Sequence, residues 1–277
     1  MDKKNKEEPL VSVIIPTRNS EATIQRCLKS IRNQSYKNVE IIVVDNYSSD
    51  TTRDIARNFN SKVLLKKPER SIQVNFGAKA AKGKYLYRVD SDFVLQPHVI
   101  REAVESAENH DYDAIVIHNT SDPTISFWSR VRKAERDCYR GDDLIVVIRF
   151  YRKEVFDAIG GYDEDLLAGE DYDFSNRLLM EGYKIGHITP EEVHIGEPKN
   201  LTDIVRKSYF YGKSIDRFIN KYPRRGRQQL NPFRKSYVRH LNNLTSDPKI
   251  LAGFAFYQGV RYLAALFGIL SDKLKNE

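Results

Sequence analysis

Residues 11–50 read VSVIIPTRNSEATIQRCLKSIRNQSYKNVEIIVVDNYSSD, an apolar run, an amphipathic stretch and a second apolar run. Val11–Ile15, closed by Pro16, suits a buried strand. Asn19 or Ser20 is placed to cap the helix that follows, and Glu21 suits its positive N-terminal end. Ile24, Cys27, Leu28 and Ile31 fall at i, i+3, i+4 and i+7, one apolar face, so Cys27 reads as core and not as chemistry. Glu40–Asp45 (EIIVVD) is a second strand, rich in β-branched residues. The turn-forming Asn46–Asp50 leads into a helix over Thr51–Phe59.

The same alternation continues. Lys62–Lys66 predicts a third strand and Ser71–Ala81 a helix stopped near Gly83. Tyr85–Val89 predicts a fourth strand, Pro97 starts another helix, and Ala114–His118 predicts a fifth strand. Repeated strand–helix units mean an α/β fold: a mostly parallel, Rossmann-like sheet with helices on both faces. Further on, Leu144–Tyr151 and Lys184–Thr189 read as strands, Lys153–Ile159 as a helix, and Gly169-Glu170-Asp171 opens a helix to about Glu181. The expected organisation is a charged segment 1–9, an α/β domain 10–198 with halves 10–118 and 119–198, and a helical tail 199–277.

With 277 residues, 40% hydrophobic and 30% charged, the chain is an ordinary globular protein long enough for a sizeable core. Its two cysteines exclude a disulfide scaffold and a Cys-x-x-Cys zinc site. Met1–Glu8 is charged, without the apolar stretch of a secretory signal, so the cytosol or the cytosolic face of a membrane is expected. The net charge of +7 is uneven: Lys199–Lys249 holds thirteen Lys/Arg against three Asp/Glu, a local +10. Such a segment suits anionic headgroups, nucleic acid or an anionic substrate, or is simply a solvated surface.

In open α/β sheets ligands bind beyond the carboxyl ends of the strands. The polar groups there are Thr17, Arg18 and Asn19 after the first strand, Asp45 and Asn46 after the second, and Asp90 and Asp92 after the fourth. Asp-x-Asp also occurs at Asp111/Asp113, Asp163/Asp165 and Asp171/Asp173, but only Asp90/Asp92 directly follows an apolar strand of the parallel sheet. Carboxylates at alternate positions leaving a strand suit one Mg²⁺ or Mn²⁺ shared with a diphosphate; on spacing alone, turn formation and helix capping explain them as well.

Taken together, VSVIIPTRN, EIIVVDN with YSSD, Asn75-x-Gly77 ahead of AKGKYLYRVDSD, and GGYDEDLLAGEDYDF resemble the family 2 glycosyltransferases, from about Leu10 to Glu197. The resemblance implies a GT-A fold and an inverting enzyme using a nucleotide-diphosphate sugar. It places Pro16, Thr17 and Asn19 along the nucleotide and gives Asp45 or Asn46 the base. The family often has Asp-Asp where this chain has Asp-Asn, which leaves UDP, GDP and dTDP open, UDP first. Arg70 would reach the base or diphosphate, Asp90 and Ser91 the ribose or sugar, and Asp92 the metal, with Asp90 and His194 as further ligands. Asp171 would be the catalytic base, with Glu170 its rival. The structural alternative for this acidic pair is favourable charge at a helix N-terminus, worth ~0.3–1 kcal/mol.

Ile250–Leu270 carries one charge, Arg261, in 21 residues. A helix of that length reaches ~30 Å, about a bilayer core. Preceded by the basic segment, it reads first as an interfacial helix on the cytosolic leaflet, then as a spanning helix, then as a helix packed on the domain or in a homodimer. A glycan or lipid-linked acceptor fits a membrane location. Two other functions stay in view. A nucleotidyltransferase would want a Gly-rich basic loop after the first strand, and PTRNSE is not one. A nucleic-acid-binding protein would use 199–249, where aromatics interleave with bases, but no nucleic-acid motif appears and no nucleic acid is expected.

Overall fold

A computed structural model describes residues 8–145 and 147–276. The first seven residues, on which most of the expectation about a signal rests, lie outside the described residues, as does residue 146 within the predicted 144–151 strand. The strands are β1 (Val11–Thr17), β2 (Val39–Asp45), β3 (Lys62–Leu65), β4 (Tyr85–Arg88), β5 (Phe93–Leu95), β6 (Ala114–Val116), β7 (Asn119–Ser121), β8 (Ile148–Arg152), β9 (Ile185–His187) and β10 (Glu192–His194). The chain forms two compact units. One comprises the chain up to Ile117, Ile148–Tyr162 and Phe174–Glu192; the other comprises His118–Val147, Asp163–Asp173 and Val193–Glu277.

The first unit is built on a seven-stranded sheet in the order β3-β2-β1-β4-β8-β6-β9. β1 pairs in parallel with β2 and β4, β2 with β3, and β6 with β9. Only β8 runs against its neighbours β4 and β6. The sheet is therefore mostly parallel, as the strand–helix alternation requires, with one reversed strand that alternation does not reveal. β8 also begins at Ile148, later than its apolar run.

Pro16 lies inside the central strand β1, paired opposite Val44 of β2. The nitrogen of Val89 bonds the Ile14 carbonyl, so residue 14, and by strand alternation residue 16, turns its backbone polar groups toward β4. β4 pairing stops at Ile14–Arg88. The missing N–H of Pro16 thus faces no partner strand, the condition under which a sheet tolerates proline. β1 thereby runs on to Thr17.

Alternate residues of β1 feed opposite layers. Val11, Val13 and Ile15 join Ile24, Cys27, Leu28 and Ile31 of the helix Ile24–Arg32, and Val99, Ile100 and Ala103 of the helix Val99–His110, in one buried cluster. On the other side, a Cβ at Gly77 would lie 2.6 Å from Ile14 Cγ2, so the helix Arg70–Ala80 rests directly on the sheet. Cys27 is fully buried and burial pushes its thiol up, which agrees with a packing role.

In the second unit the helix Leu201–Ser214 lies along the C-terminal helix Pro248–Asn276, which is continuous through its glycines. Gly212 and Gly268 are points of close approach: a Cβ at Gly212 would run into the Ala265 carbonyl, and one at Gly268 into the Tyr209 carbonyl. Gly253 rests on Phe127 and Val131 of the helix Phe127–Asp137. Trp128 stacks on Phe256 with ring centroids 5.9 Å apart.

Candidate active site

In the first unit the loops after β1 and β2 are stitched together. Asn19 adopts φ 48°, its N–H donates to Ser48 Oγ at 2.8 Å, and its Oδ1 accepts from the Ser49 N–H at 2.9 Å. It bridges two loops, whereas the sequence suggested a helix cap; the helix begins at Ile24. Ser20 N–H donates to Thr52 Oγ1, and Asn46 N–H donates to the Thr17 carbonyl. Gln73 Nε2 donates to the carbonyls of Val44 and Thr17 at 2.6 and 3.1 Å and holds the ends of β1 and β2 together.

Of the two base-reading candidates, Asp45 is fully buried and accepts from the N–H and hydroxyl of Ser48. Asn46 is half-buried. The turn engages Asp45, and Asn46 is the group at the surface of the loop. Thr17 Oγ1 and Ser71 Oγ are both buried without a hydrogen-bond partner among the described residues. Buried hydroxyls are seldom left so, and a polar ligand over this rim would satisfy them.

The carboxylate of Asp90 sits among guanidinium groups. Its Oδ1 lies 3.3 Å from Arg88 Nη2, and its Oδ2 lies 3.7 Å from Arg149 Nη2. Burial pushes its carboxyl up, but Arg88, Arg70 and Arg149 more than reverse this and hold it well below the usual carboxylate range. Arg88 is fully buried in β4, its guanidinium 5.1 Å from the ring of Tyr162. Arg149 stands 4.7 Å over Phe93 and pairs with Glu192 Oε1 at 2.7 Å. Tyr87 OH donates to the other Glu192 oxygen at 3.0 Å. Planar guanidiniums stacked on aromatics and forked onto carboxylates suit such burial. Arg88 and Arg149 were missed by the sequence reading. The available signal was an arginine inside each of two apolar strands, YLYR and IRFYR.

Ser91 Oγ donates to Ser20 Oγ at 2.9 Å, which ties the Asp-x-Asp turn to the loop after β1. Asp92 is half-buried. Among the described residues no group of three or more His, Cys, Asp or Glu side chains converges as a ready metal site. Both oxygens of Asp90 face guanidiniums, and Asp92 follows it at the same strand end. A Mg²⁺ or Mn²⁺ ion bound through one or two carboxylates and completed by substrate phosphates and water fits that arrangement.

In the second unit, Gly169 has φ +81°, and a Cβ there would meet Phe218 at 2.6 Å. Only glycine suits this entry to the helix Glu170–Met180. Glu170 is buried at 6% exposure and Asp171 is half-buried. Asp173 accepts from Tyr222 OH at 2.9 Å and lies 2.7 Å from Lys221 Nζ. Asp173 is thus tied to the Tyr222 and Lys221 side chains, while Glu170 and Asp171 begin the helix. His194 Nδ1 lies 2.9 Å from Glu197 Oε1, which also accepts from Ser121 Oγ and pairs with Arg136. A carboxylate on one imidazole nitrogen is the arrangement that orients a metal-binding histidine.

The family model "Glycosyl transferase family 2" matches residues 12–160. The chain belongs to glycosyl transferase family 2. Among relatives of this family 2 chain, the uncharacterized glycosyltransferase RP339 of Rickettsia prowazekii is 33% identical over 119 residues, 42% of this chain and 37% of that one. Among solved structures, the mannosyltransferase PcManGT of Pyrobaculum calidifontis, in complex with GDP-Man and Mn²⁺, superposes with a TM-score of 0.63 at 16% identity. That match covers 98% of this chain and 89% of that one. TarS of S. aureus superposes at 0.57 with 18% identity, covering 95% of this chain and 55% of TarS; its residues 1–349 are also solved with UDP-GlcNAc. The chain therefore spans just over a third of RP339 and about half of TarS. At these identities the superpositions establish the fold, which is GT-A.

Proposed function

We propose that this family 2 protein is an inverting glycosyltransferase that moves a sugar from a nucleotide-diphosphate donor to an acceptor hydroxyl. The observation that carries the reading is the rim around Asp90: an ionised carboxylate held by Arg88 and Arg149, with two unpartnered buried hydroxyls at the same end of the sheet. In this reading Thr17, Asn46 and Arg70 border the nucleotide, and Asp90 accepts from a ribose or sugar hydroxyl. Asp92 holds a divalent cation, Mn²⁺ or Mg²⁺, with His194 as a further candidate. When bound, that ion neutralises charge on the departing diphosphate. Relatives support the donor class: PcManGT is solved with GDP-Man and TarS with UDP-GlcNAc.

The chemistry assigned to the chain is a single displacement. The acceptor oxygen forms a bond to the anomeric carbon as the bond to the diphosphate oxygen breaks, and the nucleoside diphosphate leaves with that electron pair. Asp171 takes the acceptor proton. Its partial exposure favours it over the more buried Glu170. Arg70 adds positive charge near the leaving group. The acceptor in this reading is a glycan or a lipid-linked hydroxyl.

The test is binding of UDP, GDP and dTDP, each with and without Mn²⁺, to the wild type and to Asp92→Asn. One nucleotide is expected to bind at least about tenfold more tightly with metal, a difference of ~1.4 kcal/mol, and the metal gain should vanish in the variant. Equal binding with and without metal would remove the metal role. Failure of all three nucleotides would remove the donor reading.

A further inference from the structure

Among the described residues nothing covers the outer stripe of the C-terminal helix. Phe256, Leu263, Leu266, Phe267, Leu270 and Leu274 are 47–74% exposed, and the other exposed positions from 252 onward, among the described side chains, are alanine and glycine. Spacings of three and four residues keep them on one face. From 252 to 274 the stripe runs for ~33 Å at ~1.5 Å per residue, and its exposed members among the described side chains are all uncharged. Beside it, the helix Leu201–Ser214 exposes Leu201, Val205 and Phe210, together with Arg206 and Lys207.

The opposite face is fastened down. Gln258 Nε2 donates to Tyr237 OH at 2.9 Å, and Arg261 Nη1 pairs with Glu135 Oε1 at 3.2 Å. Glu135 is fully buried and also pairs with Arg132. Gly253, Ala265 and Gly268 press against neighbouring helices. Contacts at residues 253, 258, 261, 265 and 268 hold the helix against the second unit along most of its length. By length and composition the helix is able to cross a bilayer. In a crossing orientation, however, the ion pair Arg261–Glu135–Arg132 would travel into the hydrocarbon core.

We propose that this stripe docks lengthwise on an anionic lipid leaflet, its Leu and Phe side chains in the acyl boundary and its inner face kept on the protein. Charge selects this occupant over a second copy of the chain. Residues 199–249, which include the neighbouring helix, carry a local +10. Pairing two such faces would oppose like charges, whereas anionic headgroups complement them. The inference does not rest on the transferase reading, although a leaflet-bound enzyme is well placed for a lipid-linked acceptor.

The test uses the full chain and two kinds of vesicle, phosphatidylcholine alone and phosphatidylcholine mixed with phosphatidylglycerol. Sedimentation with the mixed vesicles is expected, at least tenfold weaker on phosphatidylcholine alone and weakened by salt. Leu263→Glu combined with Phe267→Glu should lower binding at least tenfold while the circular dichroism spectrum and melting temperature stay unchanged. Spin labels at Phe256→Cys and Leu270→Cys should report equal immersion depth. Absence of vesicle binding, or binding unchanged in the double variant, would overturn the proposal. A solution dimer dissolved by the same substitutions would assign the stripe to a second copy, and unequal label depths would replace docking by insertion. Donor binding measured alongside is a separate readout, so either proposal can fail alone.

Discussion

Asp171→Asn is expected to lower kcat by about 10²–10⁴-fold, the usual contribution of a positioned general base. Asparagine keeps the size and the hydrogen-bonding carbonyl of the side chain but cannot take the acceptor proton. KM for the donor should change little, because the donor contacts are assigned to the loops after β1, β2 and β4. Glu170→Gln is the comparison. Glu170 is 6% exposed at the same helix start, so its replacement should show mainly as lost stability. If Glu170→Gln removes turnover and Asp171→Asn does not, the base is Glu170.

Arg149→Met is expected to destabilise the protein by about 3–5 kcal/mol, the cost of leaving a buried charge without its partner. The guanidinium lies between Glu192 and Asp90, and both Arg149 and Glu192 are nearly inaccessible to solvent. After its removal Glu192 still accepts from the Tyr87 hydroxyl. Burial already pushes the Glu192 carboxyl above its ordinary value, with Arg149 opposing. Without Arg149 it should rise further. Linkage gives the sign: the deficit is largest where Glu192 must be ionised, and narrows as pH falls through its raised pKa and a proton replaces the lost cation. Denaturation midpoints measured across acidic to neutral pH check this. Adding Glu192→Gln should restore part of the loss, since paired positions are non-additive. A variant as stable as the wild type at every pH would mean that Arg149 holds nothing in place. The donor KM should also rise, because Asp90 loses one of the groups that keep it ionised.

A smaller change at Gly169 probes the start of the helix that carries Asp171. Gly169→Ala meets both a positive φ and Phe218, and should cost more than the ~1 kcal/mol typical of a surface glycine change. Loss of turnover should accompany the fall in melting temperature if that helix start is displaced.

The parallel sheet was legible in the sequence because its signals are local. Alternation between β-branched runs and amphipathic stretches predicts β1, β2, β3 and β4 within a residue or two, and places Thr17, Asn46, Asp90 and Asp92 at the strand ends. The four Asp-x-Asp pairs were separable by the same means, since only one leaves a parallel strand at its carboxyl end. The reversed strand β8 was legible as a strand but not as a neighbour of β4, since pairing partners far apart in the chain leave no periodic trace. Arg88 and Arg149 therefore looked like isolated charges in apolar runs. Only the pairing of β4 with β8 lets both reach Asp90 and turns them into the groups that fix its ionisation. Asp45 and Asn46 show the same limit at shorter range: the resemblance leaves both open for the base, but the Ser48 turn engages Asp45 and leaves Asn46 at the surface of the loop. The C-terminal helix divides likewise. Its apolar length was evident from the residues alone, whereas the inward locking of Gln258 and Arg261 depends on Tyr237 and Glu135. Periodicity is a property of neighbours along the chain, so it settles the elements. Buried charge is settled by neighbours in space, and those exist only once the chain has folded.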